Sequence, residues 1–121
     1  MEKDTIVKRE QKAVKALQHI GFSRPEAQTL IFLFKREKAT ARDIEEGAKL
    51  RQPETSHGTC ALINRKWVKM SKIQTKGKGR PYYKYRLAKS KKEIINDIQE
   101  EIWKKIEEEH QNLITVRELL L

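Results

Sequence analysis

The sequence predicts a mostly helical α+β fold, in which short helices precede a two-stranded β-ribbon and one long helix follows it. Apolar residues recur at helical spacing up to about residue 66, alternate over residues 67–87, and return to helical spacing from residue 90 onward. A length of 121 residues suits one small domain with an appendage. We therefore expect a domain over residues 1–88 and a helical extension over residues 89–121.

Capping signals mark the starts of the predicted helices. Ser23 and Glu26 form the pattern of a capping box, and Pro25 between them is tolerated in a first turn. Thr40 is followed by Asp43, which favours the positive end of a helix dipole. With Gly21 as a stop signal, the helices are predicted over about residues 5–20, 23–38, 40–48 and 53–66.

The ribbon is predicted from a change to period two. Val68 and Met70 alternate with polar residues, and Tyr83, Tyr85 and Leu87 share one face of the second strand. Residues 76–81 between them form a basic, glycine-containing turn. Because an isolated two-stranded ribbon is marginally stable in water, its apolar face must pack on the helices.

The last helix is predicted to dimerise. Its apolar residues recur in steps of three and four to the C-terminus, so that a helix of about 30 residues would be ~45 Å long. The preceding part would have a radius of gyration of only ~12 Å, so it cannot cover the whole apolar stripe, and a partner helix is expected. The residues predicted at this homodimer interface are Ile98, Ile102, Trp103, Ile106, Leu113, Val116 and Leu120.

Positive charge is concentrated in the middle of the chain. The chain carries 27 Lys+Arg and 17 Asp+Glu, a net charge of +10. Residues 55–92 hold 12 basic and no acidic side chains, whereas residues 93–121 hold 3 basic and 8 acidic ones. The basic stretch also contains Trp67 and three tyrosines, which a disordered tail would rarely have. It is typical of a folded surface that binds a polyanion.

Several features concern the compartment. The single cysteine, Cys60, excludes an intramolecular disulfide and favours a reducing environment. The longest apolar run, Leu30 to Phe34, is far shorter than the ~20 residues that span a bilayer. The charged N-terminus leads into no apolar signal core. We expect a soluble cytoplasmic, nucleoid-associated protein that binds no membrane.

The sequence contains no recognisable catalytic set. It pairs no nucleophile with a nearby base, and residues 76–79 lack the spacing of a nucleotide-binding loop. His57 and Cys60 lie three residues apart on one predicted helix, but two ligands are too few for a closed zinc site. We therefore expect a protein that is not an enzyme and needs no metal or cofactor.

Helix, turn, helix and β-hairpin in this order form the winged helix-turn-helix arrangement, and local motifs support it. Residues 40–44, Thr-Ala-Arg-Asp-Ile, resemble the "T-A-x-x-I" opening of the motif's first helix. Residues 51–56 resemble the start of a recognition helix. Residues 62–68 resemble its "L-x-x-R-G-W-V" end, with Lys66 where glycine is common. Residues 79–87 resemble the "G-R-P-x-x-x-Y-x-L" second wing strand.

Over about residues 17–106, the chain thus resembles archaeal winged-helix transcriptional regulators of the broad ArsR-like and MarR-like group. The resemblance implies that helix 53–66 enters the DNA major groove and that the wing, residues 67–87, contacts the backbone or minor groove. Helical spacing places Thr55, Gly58, Thr59 and Leu62 inward. The expected DNA-facing residues are Arg51, Gln52, Glu54, Ser56, His57 and Cys60 near the helix, and Lys69, Lys76, Lys78, Arg80, Lys84 and Arg86 on the wing.

Two of these residues have a specific predicted chemistry. Gln52 can make a bidentate contact to adenine. Glu54 can accept a hydrogen bond from cytosine or complement the helix N-terminus, and both roles stay open.

These features predict a homodimeric, sequence-selective regulator that binds double-stranded DNA and represses by occluding a promoter. One alternative is an architectural DNA-binding protein of low specificity. Another is a winged-helix module that binds RNA or an acidic protein. Steep salt dependence with a specificity ratio near one favours the architectural protein, and no duplex binding at low salt favours the interaction module.

Overall fold

Five helices and three strands follow one another in the described part of the chain. The structure is a computed structural model that describes residues 2–74, 77 and 79–121, with side chains from residue 8 onward. The chain divides into two compact units, the first ending at Lys89 and the second running from Ser90. The elements are α1 (Glu2–Ile20), α2 (Arg24–Lys35), β1 (Ala39–Thr40), α3 (Ala41–Ala48), α4 (Gln52–Asn64), β2 (Val68–Ile73), β3 (Tyr82–Leu87) and α5 (Lys91–Leu120). The predicted mostly helical α+β fold with a long C-terminal helix is confirmed.

Side-chain caps begin the helices where the sequence predicts them. Thr40 Oγ1 accepts a hydrogen bond from the Asp43 backbone N–H at 3.1 Å, and Asp43 Oδ2 accepts one from the Thr40 N–H at 3.0 Å. Ser23 Oγ accepts from the Glu26 N–H at 3.3 Å, but Glu26 Oε2 lies 3.8 Å from Arg65 Nη2 instead of capping Ser23. The predicted capping box at Ser23 is therefore only half formed.

The predicted two-stranded ribbon is part of a three-stranded sheet of order β1-β3-β2. The ribbon strands pair antiparallel, with Val68 opposite Leu87 and Ile73 opposite Tyr82. Helix α2 ends at Lys35, not near Lys38, because the next residues become extended and lead into β1. β1 then pairs with β3 through only two residues. A two-residue strand has no periodicity, so the sequence gives no signal for it.

A left-handed turn joins α4 to β2 at Lys66, which has φ = 67°. The Lys66 N–H donates to the Ile63 carbonyl at 2.9 Å, and the Trp67 N–H donates to the Leu62 carbonyl at 3.1 Å. These two bonds form a Schellman motif, in which the left-handed residue is usually glycine. The departure at Lys66 from the common glycine therefore leaves the turn intact, although a side chain occupies a strained backbone conformation.

The core of the first unit lies among α2, α3, α4 and the sheet. Its fully buried large side chains include Leu30, Leu33, Ile44, Leu62 and Trp67, all 2% exposed or less. Each such side chain stabilises the fold by about 2 kcal/mol through removal of apolar surface from water. Within the described residues, no helix is both long and apolar enough to cross a membrane.

Candidate nucleic-acid interface

Helix α4 has a buried face and an exposed face. Thr55, Thr59 and Leu62 are 3% exposed or less, and Gly58 is also buried. The exposed face presents Ser56, His57 and Cys60. The sorting of α4 predicted from helical spacing is confirmed, and the three exposed side chains are accessible to a ligand.

A close approach between α2 and α4 holds this exposed face in place. A Cβ atom on Gly58 would lie 2.6 Å from Thr29 Oγ1 and 2.7 Å from the Pro25 carbonyl oxygen. Only glycine therefore allows the two helices to pack at this distance. The Thr59 hydroxyl donates to the Thr55 carbonyl at 3.0 Å, which satisfies a buried polar group within the helix.

At the start of α4, Arg51 and Gln52 are exposed, whereas Glu54 is engaged within the chain. Glu54 Oε1 accepts from the Arg51 backbone N–H at 3.0 Å, and Oε2 pairs with Arg24. The backbone hydrogen bond from Arg51, together with the Arg24 charge, lowers the pKa of Glu54. Glu54 thus complements the helix N-terminus, the second of its two predicted roles.

The wing has an inner face toward α4 and an outer face on the opposite side of the sheet. Burial raises the pKa of the Tyr85 phenol, and a hydrogen bond with the Thr59 hydroxyl opposes this rise. Tyr85 therefore lies against α4 and defines the inner face. Strand alternation and the pairing of Met70 with Tyr85 place Met70 and Tyr83 on the same face. At 52% and 43% exposure, they extend this face beyond the core.

The predicted wing cations occupy different places. Lys69, Lys84 and Arg86 alternate with the inner-face residues and so belong to the outer face. Lys69 is exposed, and Lys84 and Arg86 are half-buried. Arg80 is exposed near the tip, while Lys76 and Lys78 lie outside the described residues.

Two residues that the sequence did not predict also line the wing. Lys72 pairs with Tyr83 and is an exposed cation on the inner face, beside Met70. Lys38, just before β1, borders the outer face. Strand alternation could have placed Lys72, but Lys38 is brought to the sheet only by β1, which has no sequence signal.

His57 and Cys60 have no third metal ligand near them in the part of the chain that the structure describes. Among the described residues, no group of three or more His, Cys, Asp or Glu side chains is arranged to hold a metal ion. Both side chains are exposed on α4 and are available as hydrogen-bonding or packing groups.

The second unit is the helix α5, with its N-cap at Ser90. Ile94 and Ile98 near its start are buried, and Ile98 is one of the predicted interface residues. Ile102 is half-buried. The other predicted interface residues are exposed to between 49% and 77%: Trp103, Ile106, Leu113, Val116 and Leu120.

Helices α3 and α4 with the β2–β3 hairpin constitute a winged helix-turn-helix, so the protein is of the winged-helix class. Residues 17–91 match the family described as sugar-specific transcriptional regulator TrmB, and the chain belongs to this family. The predicted resemblance to winged-helix regulators is confirmed, and the matching family is TrmB. The members of this family are transcriptional regulators, which are not enzymes.

Solved structures with the same fold include a possible transcriptional regulator from Methanosarcina mazei Go1. It has 16% identity and a TM-score of 0.65, over 90% of this chain and 87% of the other. TrmBL2, described as an archaeal chromatin protein with a novel mode of DNA binding, has 18% identity and a TM-score of 0.70. That match covers 93% of this chain but only 40% of TrmBL2.

A more distant likeness is BpsR from Bordetella bronchiseptica, whose DNA binding is regulated by 6-hydroxynicotinic acid. It has 14% identity and a TM-score of 0.53 over the full length of both chains. No curated protein sequence matches the chain at a significant level. At these identities, the structural likenesses establish the fold.

Proposed function

We propose that the protein is a homodimeric, sequence-selective repressor that acts in the cytoplasm on the nucleoid and inserts α4 into the DNA major groove. The observation that carries the proposal is the division of α4 into a face fixed on α2 and an exposed face of uncharged hydrogen-bonding groups. Gln52, Ser56 and His57 can donate to and accept from base edges. Because Gly58 fixes the distance from α2, these groups keep one geometry relative to the fold.

The wing supplies the contacts that do not depend on sequence. Lys69 and Arg80 are exposed cations, and Lys76, Lys78, Lys84 and Arg86 belong to the same carboxylate-free segment. Cations of this kind release counterions from phosphates, which raises affinity for any duplex. Arg51 at the start of α4 can add a phosphate or guanine contact.

The exposed stripe of α5 supports the proposed dimer. Trp103, Ile106, Leu113 and Val116 are about half exposed or more, and a second copy of α5 offers the same apolar side chains. Two-fold symmetry would place two α4 helices about 34 Å apart, on half-sites one DNA turn from each other. Bound over a promoter, such a dimer represses by excluding the transcription machinery.

The first test is selection of genomic DNA fragments with the purified protein, followed by affinities for the best duplex and a scrambled duplex at two salt concentrations. The proposal predicts a palindromic site that binds at least about a hundredfold more tightly than the scrambled duplex. If the protein binds no duplex at low salt, the result would instead favour the alternative function, a winged-helix module that binds RNA or protein.

The proposed dimer is tested separately by size-exclusion chromatography, with light scattering to measure the molar mass of the eluting protein. The wild-type chain is expected at twice its 14.3 kDa mass. Leu113→Glu places a carboxylate in the apolar stripe and should give a monomer. Gln111→Glu introduces the same charge at an exposed polar position and should remain a dimer. A monomeric wild-type chain would refute the proposed assembly.

Architectural binding of low specificity is the second candidate function. It is favoured by the carboxylate-free wing and by the structural likeness to TrmBL2, which is described as a chromatin protein. Equal affinity for the selected and scrambled duplexes, with steep salt dependence, would place this function first.

A further inference from the structure

The outer face of the wing sheet contains a basic cavity. Its volume is about 240 Å³, and it is lined by Lys38, Ser71, Ile73, Lys84, Tyr85 and Arg86. Lys84 and Arg86 lie on the face opposite to the one that Tyr85 turns toward α4. The pairing of β1 with β3 brings Lys38 to the same place, since Ala39 is opposite Tyr85. The cavity is therefore distinct from the exposed face of α4.

Of the described residues that line this cavity, three are cations and none is a carboxylate. In the described part of the chain, no salt bridge involves Lys38, Lys84 or Arg86. Asp43 is a nearby acid, whose pKa is lowered mainly by the hydrogen bond from the Thr40 backbone and in small part by the Lys84 charge. The Asp43 carboxylate is already held by the Thr40 N–H and lies 3.6 Å from Arg36. The cavity thus keeps a strong excess of positive charge.

Arg86 also has an unused hydrogen-bond donor at this site. Its Nε atom is buried, and it has no hydrogen-bond partner among the described residues. A buried donor without an acceptor destabilises the fold, and an anion in the cavity would supply the missing acceptor. The Ser71 hydroxyl adds a further neutral donor.

We propose that this cavity binds a phosphate group. Arg86 donates from Nε, Ser71 donates from its hydroxyl, and Lys38 and Lys84 neutralise the charge. Arginine and lysine together suit a phosphate, because the guanidinium fixes its orientation while the ammonium groups act as point charges. The phosphate belongs either to a DNA backbone or to a small phosphorylated ligand. Only the first of these sources rests on the proposed function.

The test for the phosphate site is titration of the full chain with inorganic pyrophosphate at low ionic strength, followed by calorimetry and NMR. We expect the wild-type chain to bind and both Lys38→Gln and Arg86→Gln to bind at least fivefold more weakly. The control is Lys72→Gln, which removes the same charge from the inner face of the same sheet and should change the affinity less than twofold. Lys38 is exposed, so its replacement does not endanger folding, and thermal unfolding checks the Arg86 variant.

Absence of pyrophosphate binding would overturn the proposal. An equal loss in all three variants would also overturn it, because such a loss would show general attraction to a basic wing. Measurements of duplex DNA binding then identify the source of the phosphate. If the phosphate is that of DNA, Lys38→Gln lowers the salt slope of duplex binding by about 0.9 per bound protomer, or about 1.8 for the proposed dimer, and pyrophosphate competes with the duplex. The control for this arm is Lys12→Gln on α1.

An unchanged slope with lost pyrophosphate binding would assign the cavity to a small phosphorylated ligand. A wild-type chain that binds pyrophosphate but no duplex would refute the proposed function and leave the phosphate site standing.

Discussion

Helix α4 and the wing differ in both charge and burial. Gln52–Asn64 contains no lysine or arginine and one carboxylate, whereas residues 67–87 contain seven basic residues and no acid. The inner side chains of α4 are nearly inaccessible. Along the wing, exposure rises from 2% at Val68 to 52% at Met70.

In the proposed function, this difference separates two tasks within one small domain. Discrimination between bases needs hydrogen-bonding groups in a fixed geometry, which α4 provides through its packing on α2. Affinity for the DNA backbone needs charge and tolerates imprecise positions, which the wing provides. We therefore expect substitutions on α4 to change specificity and substitutions on the wing to change affinity for every duplex.

The largest expected effect is on the packing that fixes α4. Gly58→Val should lower the free energy of unfolding by about 3 kcal/mol, because the new side chain overlaps Thr29 and the Pro25 carbonyl. Ser56→Val introduces the same side chain on the exposed face of α4 and should change the free energy of unfolding by less than about 0.5 kcal/mol. Urea denaturation measures both. Similar losses in the two variants would show that close packing does not fix α4.

Charge removal from the wing should weaken all DNA binding uniformly. The double variant Lys69→Gln/Arg80→Gln is expected to reduce the salt slope by about 1.8 per bound protomer, or about 3.6 for the proposed dimer, and to lower affinity for selected and scrambled duplexes by the same factor. Fluorescence anisotropy over a salt series measures the slope. A loss confined to the selected duplex would assign base contacts to the wing and contradict the proposed separation of specificity from affinity.

The turn between the two regions offers a stabilising change. Lys66→Gly should raise the free energy of unfolding by about 1 kcal/mol, because glycine adopts φ = 67° without the strain of a side chain. Lys66→Ala removes the same charge but keeps the Cβ atom, and it should give no gain. If both variants gain equally in thermal or urea unfolding, relief of charge repulsion is the cause instead.

The smallest effect concerns the cap of α3. The Thr40 N–H, with help from the Thr40 hydroxyl and Arg36, lowers the pKa of Asp43 below its ordinary value of 3.8. The ionised carboxylate therefore stabilises the fold above that value, and this contribution disappears as the pH falls through the lowered pKa. Asp43→Asn should cost about 0.5 kcal/mol at pH 7 and almost nothing at pH 2.

Urea unfolding at the two pH values measures this contribution. Glu46→Gln is the control, since Glu46 pairs with the exposed Arg42 in the same helix. An equal pH dependence in the two variants would contradict the assignment to the cap.

Periodic features of the chain could be predicted, and contacts set by tertiary pairing could not. Alternation over Tyr82–Leu87 gave the bounds of β3, and helical spacing gave both faces of α4. The two-residue strand β1 has no pattern of its own, so neither the third strand nor the arrival of Lys38 at the sheet was predictable. Glu26 pairs with Arg65 instead of completing a cap. Local spacing could not predict this pair, because the two residues are 39 positions apart in the sequence.

The separation of specificity from affinity is tested most directly by the affinity ratio between the selected duplex and a duplex with one adenine of the half-site replaced. This ratio is measured for the wild-type chain, Gln52→Ala and Arg80→Gln at one salt concentration. The account predicts a ratio at least about tenfold smaller in Gln52→Ala, from loss of a bidentate base contact, and an unchanged ratio in Arg80→Gln. An unchanged ratio in Gln52→Ala at every adenine of the half-site, with a reduced ratio in Arg80→Gln, would contradict it.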